Sequence, residues 1–315
     1  MIPFLIRRLG HGLFVLLLVS TVTFGIMMVA PGGPSLLADP KLSTAERAAI
    51  EARLGLDKPA PVQYAKWLGR AVRGDFGTSF LYQTSSLVTI GSRLPQTLVL
   101  AGTALLLTIG VGIPLGLVAA ARAGSLLDRL VTISSGIALA VPAFWSGLML
   151  ILVFAVWTHV LPAGGAVTDG ETLGLSDRAR HLLLPALVLA AAGCAEVVRY
   201  TRSAVQTTLA LPFMQNARAR GLSARRILWR HGLRHALLSV ISVIGLQLPR
   251  LVGGAAVTET VFSWPGMGRL GVEAALGRDY PLVMAVTLVV SAGVVVASIL
   301  TDVTQMLMDP RLRDA

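Results

Sequence analysis

The segment FMQNARARGLSARRILWRHGLRHALL, residues 213–238, contains six arginines in a chain that is otherwise mostly apolar. No acidic residue lies between Glu196 and Glu259 to balance this charge, and the sequence Gly221-Leu222-Ser223 interrupts it. Unbalanced positive charge is typical of a nucleic-acid-binding surface, of a cytoplasmic membrane loop or of a docking element. The rest of the chain distinguishes these possibilities.

The composition favours a membrane protein. Of the 315 residues, 54% are hydrophobic and 14% are charged, with a mean hydropathy of +0.74. A soluble domain has about 25% charged residues. The net charge of +11 would suit nucleic acid, but much of the basic charge lies in short loops between apolar runs, as in membrane proteins that fix their orientation. We therefore predict no nucleic-acid partner.

Six apolar runs are long enough to cross a bilayer, which needs roughly 20 apolar residues per helix. The first follows Arg7 and Arg8, is too long for a signal-peptide core and has no A-x-A-like cleavage site, so we predict an uncleaved anchor. The predicted fold is an all-α polytopic membrane protein with six transmembrane helices, at about 9–30, 96–119, 130–158, 182–205, 237–258 and 281–307.

Arginine counts in the short loops predict the orientation. With the N-terminus inside, thirteen arginines fall on the inner side: Arg7, Arg8, Arg122, Arg129, Arg202, Arg218, Arg220, Arg225, Arg226, Arg230, Arg234, Arg311 and Arg313. Four fall outside: Arg178, Arg180, Arg269 and Arg278. This bias predicts a multi-pass membrane protein with both termini in the cytoplasm.

The chain divides into four predicted parts. Residues 1–30 form the N-terminal transmembrane helix, and residues 31–95 form an extracytoplasmic segment with short helices in STAERAAIEARLGL and PVQYAKWLGRAV. Residues 96–307 form a transmembrane core of five helices, with a cytoplasmic loop at 206–236. Residues 308–315 form a cytoplasmic tail.

The residues that common enzymes require are missing. None of the three lysines, Lys41, Lys58 and Lys66, follows a glycine, so the chain has no Walker A loop for ATP. The pair His231 and His235 lacks the glutamate of a zinc protease, and no G-x-S-x-G nucleophile elbow occurs. We predict no catalytic residues, no metal site and no cofactor bound by this chain.

In the predicted topology the basic segment is the cytoplasmic loop between spans four and five. Pro212 could open a short helix that ends near Arg220, and Gly221 permits a left-handed backbone. Ser223 could cap a second helix that begins near Ala224. Such a helix–turn–helix could bind lipid headgroups or enter a groove on a partner protein. The Gly-Leu-Ser break favours the partner, since a lipid-binding helix gains nothing from an interruption.

Five regions of the chain resemble the bacterial ABC importer permeases of the dipeptide, oligopeptide and nickel group, specifically the first permease of the pair. The resemblance covers essentially the whole chain. Its motifs are GLDKPAPVQYAKWL with GDFGTSF, VPAFWSGL (141–148), NARARGLSARRILWRHGLRHALL (216–238), ETVFSWPGMGRLGVEAALGRDYPLV (259–283) and DPRLR (309–313). Two positions depart from the family pattern: Ser239 replaces a proline and Asn216 replaces a small residue.

The resemblance implies a coupling (EAA) helix that contacts an ATPase. Its expected residues are Gln215, Asn216, Ala217, Arg218, Ala219, Arg220, Gly221, Leu222, Ser223 and Arg226. The implied partners are a second homologous permease, two ABC ATPase subunits that carry ATP and Mg²⁺, an extracytoplasmic substrate-binding protein and membrane lipid. The implied function is ATP-driven import of peptides or a related small solute. The alternative is a self-sufficient secondary transporter or channel without ATPase partners.

Arg250 is an unusual residue within the fifth span, where ionisable groups are costly and face a cavity or a partner. We predict that it lines the substrate path and attracts a carboxylate, or else pairs with a partner subunit or reaches outward to the membrane surface. Glu259 and Trp264, in the predicted external loop, are further candidates for the path. Glu196 is predicted to pair with Arg199 on its own helix.

Overall fold

The computed structural model describes residues 2–31, 33–34, 43–168, 174–223 and 233–308. These residues are almost entirely helical, and their one isolated β-bridge joins Thr78 and Ser85. The helices are α1 (Ile2–Val29), α2 (Thr44–Leu54), α3 (Ala60–Ala71), α4 (Ser86–Ala121), α5 (Leu126–Ala140), α6 (Ala143–Leu150), a π-helical segment (Ile151–Trp157), α7 (Leu175–Leu209), α8 (Pro212–Ala219), α9 (Leu233–Val261), α10 (Met267–Leu276) and α11 (Tyr280–Met308).

The prediction of an all-α membrane protein is confirmed. Four described helices are long and apolar enough to cross a membrane: Phe4–Val29, Ser86–Ala121, Leu175–Leu209 and Tyr280–Leu307. Two further helix pairs pass the same test together but are bent, and counting each pair as one span brings the total to six. The third and fifth predicted spans are therefore broken rather than straight.

The break in the third span occurs at Val141-Pro142. Helix Leu126–Ala140 and helix Ala143–Trp157 are inclined at 104° to each other. A residue that precedes proline is pushed out of the helical region, and Val141 accordingly has an extended backbone with φ −82° and ψ 125°. The apolar composition continues through residues 130–158, so the hydropathy of the sequence does not indicate this break.

In the fifth span, α9 contains Pro249 and bends by 54° between the segments Val240–Leu251 and Ala255–Val261. Proline has no N–H to donate, so it leaves the carbonyl four residues earlier, that of Gly245, without its helical partner. The Thr301 hydroxyl of α11 donates to this Gly245 oxygen at 2.8 Å. A threonine on a neighbouring helix thus satisfies the group that the proline frees, as membrane helices require.

The described residues form two compact units, each considered by itself. The first comprises Leu98–Trp264 and the chain from Val294 onward. Here α7 packs on α5, α6 and α9. Gly112 and Gly116 on α4 allow a close approach to α7, because added Cβ atoms would lie 2.8 Å from the Val197 Cγ1 and 2.6 Å from the Thr201 Cβ. This spacing of small residues is typical of packed membrane helices.

The second unit comprises Ile2–Thr97 and Pro265–Gly293. The two short helices predicted here are confirmed as α2 and α3. Ser43 and Glu46 form a reciprocal capping box at the start of α2. Helix α3 packs on α1 through Trp67 and Met27, which belong to one buried cluster with Met284 of α11.

Candidate functional site: an intramembrane ion pair and a basic surface segment

An ion pair joins two membrane helices of the first unit. The Nη1 atom of Arg250 in α9 donates to both Glu196 carboxylate oxygens in α7, at 2.8 and 2.9 Å. The Gln247 side-chain amide donates to Glu196 Oε2 at 2.7 Å. Gln247 and Arg250 are three residues apart and share one face of α9. One helix therefore presents two donors to one carboxylate of its neighbour.

The geometry corrects the prediction for Glu196, which pairs with Arg250 and Gln247 rather than with Arg199. The pair is only partly covered by the chain, since 29% of the Glu196 side chain and 64% of the Arg250 side chain are exposed. Gln247 is buried. Ionisable groups inside a membrane usually face a protein interior or a water-filled cavity, and the Arg250 side chain has an open side.

A second ion pair, which the sequence analysis did not identify, joins α5 and α7. The Nε and Nη2 atoms of Arg202 donate to the two Asp128 oxygens at 2.5 and 2.9 Å. The Gly124 backbone N–H also donates to Asp128, and the Ser125 hydroxyl caps the helix at the Asp128 backbone N–H. The one local signal was the Ser125-x-x-Asp128 capping pattern, which predicts a helix start but no ion pair.

Glu259 and Trp264, the other candidates for the path, are buried. The two residues are 0% and 2% exposed, and the Trp264 backbone N–H donates to the Glu259 backbone carbonyl at 2.8 Å. The indole packs against Leu100 and Ala186. Trp264 was predicted in an interfacial loop, but in the structure it fills a core. Its position favours a packing role over a surface that substrate touches.

The described part of the basic segment has the predicted shape. Helix α8 begins at Pro212 and ends at Ala219, and Gly221 has a left-handed backbone with φ +77°. Met214 is fully buried and anchors α8, while Asn216, Ala219, Arg220 and Ser223 are exposed. The predicted second helix from Ala224, with Arg226, Arg230 and His231, lies outside the described residues.

These features describe a multi-pass membrane protein with a charged pair between membrane helices and a short exposed helix followed by a left-handed glycine. The family model described as "binding-protein-dependent transport system inner membrane component" matches residues 112–314, and the model for the N-terminal part of such membrane components matches residues 1–101. The chain belongs to this family.

Relatives match over the full length. The chain is 42% identical over 314 residues to the oligopeptide transport system permease protein AppB of Bacillus subtilis, covering 99% of both chains. It is 33% identical over 339 residues to the dipeptide transport system permease protein DppB of Escherichia coli, again covering 99% of both.

A solved structure supports the fold. The inward-facing MetNI methionine ABC transporter contains a chain that superimposes with a TM-score of 0.58 at 17% identity, covering 71% of this chain and 97% of that one. This likeness concerns the fold alone.

Proposed function

We propose that the chain is a permease subunit of an ATP-driven importer that moves peptides, or a related small solute, across the cytoplasmic membrane. The observation that carries the proposal is the full-length similarity to peptide permeases, 42% identity over 99% of both chains in the case of AppB. Partners are a second homologous permease, two ATPase subunits that bind ATP and Mg²⁺, an extracytoplasmic substrate-binding protein and membrane lipid. In this proposal the chain performs no catalysis of its own.

The coupling role falls to residues 215–223 and Arg226. In the proposed orientation both termini and this segment are cytoplasmic. Helix α8 is held by buried Met214, so a force on the exposed side of α8 is transmitted to α7, on which α8 packs. A short helix seated in a groove of the ATPase is a common recognition mode. Closure of the ATPases then moves α8 and changes access to the path.

The substrate path in this proposal passes Arg250. A peptide in free form carries a carboxylate and an ammonium group, and the Arg250–Glu196 pair presents the complementary charges at its open side. The guanidinium has five N–H donors in a fixed fork. Among the described residues, the hydrogen bonds of Arg250 involve Nη1 only. The other donors can bind a passing carboxylate without dissociation of the pair.

The experiment that tests the coupling role uses Gly221→Trp in the reconstituted complex with its partner permease and ATPases. A side chain at φ +77° is strained by about 1–2 kcal/mol, although none of the described residues places an atom within 4 Å of an added Cβ. We expect ATP hydrolysis to continue while transport falls to background. The matched control is Gly221→Asn, because asparagine tolerates the left-handed backbone.

Normal transport by Gly221→Trp would contradict the docking role. Co-purification provides an independent check on the whole proposal. A permease subunit requires a second permease and an ATPase pair in the purified complex. A chain that transports peptide after reconstitution alone, without ATP, would be the self-sufficient transporter instead.

A further inference from the structure

A cavity of about 870 Å³ lies within the second unit. Its floor includes Phe24 and Met27 from the last turns of α1, and Tyr280 and Met284 from the first turns of α11. Both helices are candidate membrane spans. The cavity therefore lies where two membrane helices meet the bilayer surface, on the extracytoplasmic side in the orientation proposed above.

The rim of the cavity is strongly basic. Four cationic side chains and one carboxylate line it: Lys58, Lys66, Arg70, Arg73 and Asp75. Asp75 accepts a hydrogen bond from the Gly77 backbone N–H at 2.9 Å. Two of the three lysines of the chain are thus collected at one place. In the proposed orientation they lie opposite to the side that the positive-inside rule favours, so orientation does not explain them.

Two of these cations lie close enough to disturb each other. A contact with the Lys58 ammonium, and then charge repulsion from it, lowers the pKa of Lys66 below its ordinary value. An anion between two such ammonium groups would relieve this repulsion. The Asp57 carboxylate offsets only part of this effect, so the cluster keeps an excess of positive charge.

Trp67 lines the same cavity and carries a buried donor. Its side chain is 7% exposed and lines the cavity. Its indole Nε1–H has no hydrogen-bond partner among the residues that the structure describes. Buried tryptophan N–H groups usually find a partner, and leaving one unmade costs about 1–3 kcal/mol. The Tyr64 ring stacks on Trp67 with centroids 6.1 Å apart, which fixes the indole.

We propose that this cavity binds an anionic phospholipid of the extracytoplasmic leaflet, with the phosphate held by the Lys66 and Arg70 side chains beside the Trp67 indole. The start of the acyl chains would lie on the apolar floor formed by Phe24, Met27 and Met284. The apolar floor favours a lipid over a soluble anion, because a free phosphate gains nothing from it. Its continuity with two membrane helices also favours a lipid over an acidic protein surface. None of its lining residues belongs to the proposed transport path or to the coupling segment.

The test uses the full-length chain in vesicles of phosphatidylglycerol and phosphatidylcholine. A photo-reactive amino acid replaces Thr78, which lines the cavity, or its bridge partner Ser85, which does not. Both positions are exposed. We expect phosphatidylglycerol adducts at position 78 to exceed those at position 85 several-fold, with little labelling by phosphatidylcholine. Equal labelling by the two lipids, or at the two positions, would overturn the proposal.

Neutralising the rim cations tests whether their charge is needed to bind the lipid. Lys66→Gln with Arg70→Gln should lower phosphatidylglycerol labelling at position 78 several-fold. The control Arg178→Gln with Arg278→Gln removes the same charge from exposed arginines that do not line the cavity, and it should have no effect. If the first pair prevents folding, Lys58→Gln with Arg73→Gln tests the same rim. Unchanged labelling in a folded rim variant contradicts the site.

Two competitors separate the lipid from other anionic occupants. Glycerol 3-phosphate in the buffer should not reduce the lipid adducts, whereas strong competition would mean that the site takes a soluble phosphate ester. The extracytoplasmic substrate-binding protein should leave the lipid adducts in place. Replacement of the lipid adduct by a protein adduct would overturn the proposal and assign the cavity to protein docking.

Discussion

Two arginine–carboxylate pairs meet the same helix, α7, and they differ in how the chain encloses them. In the α5–α7 pair, two nitrogens of Arg202 contact two oxygens of Asp128. In the α7–α9 pair, one nitrogen of Arg250 is shared by both oxygens of Glu196. The carboxylate side chains are 5% and 29% exposed, and the arginine side chains 30% and 64%.

We interpret the enclosed Asp128–Arg202 pair as a structural contact and the open Glu196–Arg250 pair as one that can take a further partner. The two parallel hydrogen bonds of the Asp128–Arg202 pair use the fork of the guanidinium, which gives geometric specificity as well as energy. The open Glu196–Arg250 pair leaves guanidinium donors that, in the proposed function, bind the substrate. We therefore expect lesions in the first pair to affect folding and lesions in the second to affect transport.

The largest expected effect is on folding, at the Asp128–Arg202 pair. Arg202→Ala leaves the Asp128 carboxylate nearly enclosed without its partner, and an uncompensated charge is more costly than a missing pair. We expect the melting temperature of the purified chain to fall by more than about 4 °C, because a loss of about 1 kcal/mol lowers it by about 2–4 °C in domains of about 150–250 residues and this loss is larger. Thermal unfolding monitored by size-exclusion chromatography measures this.

The control for that prediction is the double variant Asp128→Asn with Arg202→Gln, which removes both charges. It should recover part of the melting temperature, because neutral amides can still hydrogen-bond to each other. If the single and double variants melt alike, the pair is not what holds α5 on α7.

The next effect is on transport, at the Glu196–Arg250 pair. Arg250→Ala should reduce peptide transport about ten-fold, the factor that corresponds to one charge-assisted hydrogen bond to the substrate. The melting temperature should change little, since the pair is exposed. Uptake of labelled peptide by the reconstituted complex, alongside thermal unfolding, makes the measurement. Unchanged transport would exclude Arg250 from the path.

A charge swap sharpens this result. Glu196→Arg with Arg250→Glu restores an ion pair but reverses the positions of its charges. A structural pair would regain function after the swap, whereas a site that recognises the substrate carboxylate would not. Recovery of transport in the swapped variant would therefore move the Glu196–Arg250 pair into the structural class of Asp128–Arg202.

A smaller effect is expected at Gln247, which supports Glu196 without reaching the exposed side. Gln247→Leu removes a donor to the carboxylate but keeps the buried volume approximately constant. We expect a fall in transport smaller than that of Arg250→Ala, with the change mainly in the apparent affinity for peptide. A concentration series of peptide uptake distinguishes affinity from maximal rate, and a larger loss than for Arg250→Ala would contradict this ranking.

Local patterns predicted much of the fold. The Ser43-x-x-Glu46 capping box marks the start of α2, and Pro212 and Gly221 mark the start of α8 and the turn after it. The apolar runs predicted the membrane helices, because the length of each run reflects the thickness of the bilayer. These signals lie within a few residues of the structure that they determine.

The pairs could not be predicted in the same way, because helix periodicity does not specify which helix a face meets. Glu196 and Arg250 are 54 residues apart, and Arg199 offered Glu196 a nearer partner on its own helix. Asp128 and Arg202 are 74 residues apart. The break at Val141-Pro142 was also missed, because the apolar composition continues through it.

Glu46 provides a third carboxylate, which is fully exposed and is bound by Ser43. Its Oε2 accepts hydrogen bonds from the Ser43 backbone N–H at 2.8 Å and the Ser43 hydroxyl at 2.7 Å. These two bonds, the backbone bond first, lower the pKa of Glu46 below its ordinary value of 4.5. The charged form is therefore favoured by folding, and α2 gains stability above pH 4.5 that it loses as the pH falls through the lowered value.

Hydrogen exchange at the first turn of α2, corrected for the intrinsic rate at each pH, measures this small effect. Protection should decrease between about pH 6 and pH 3 in the natural chain. Glu46→Gln keeps an acceptor for Ser43 but has no proton to gain, so its protection should not depend on pH. Equal pH dependence in both chains would show that the titrating group is elsewhere. In that case the charge of Glu46 would not be coupled to folding. The Glu46 carboxylate would then stabilise the fold less than either arginine pair does.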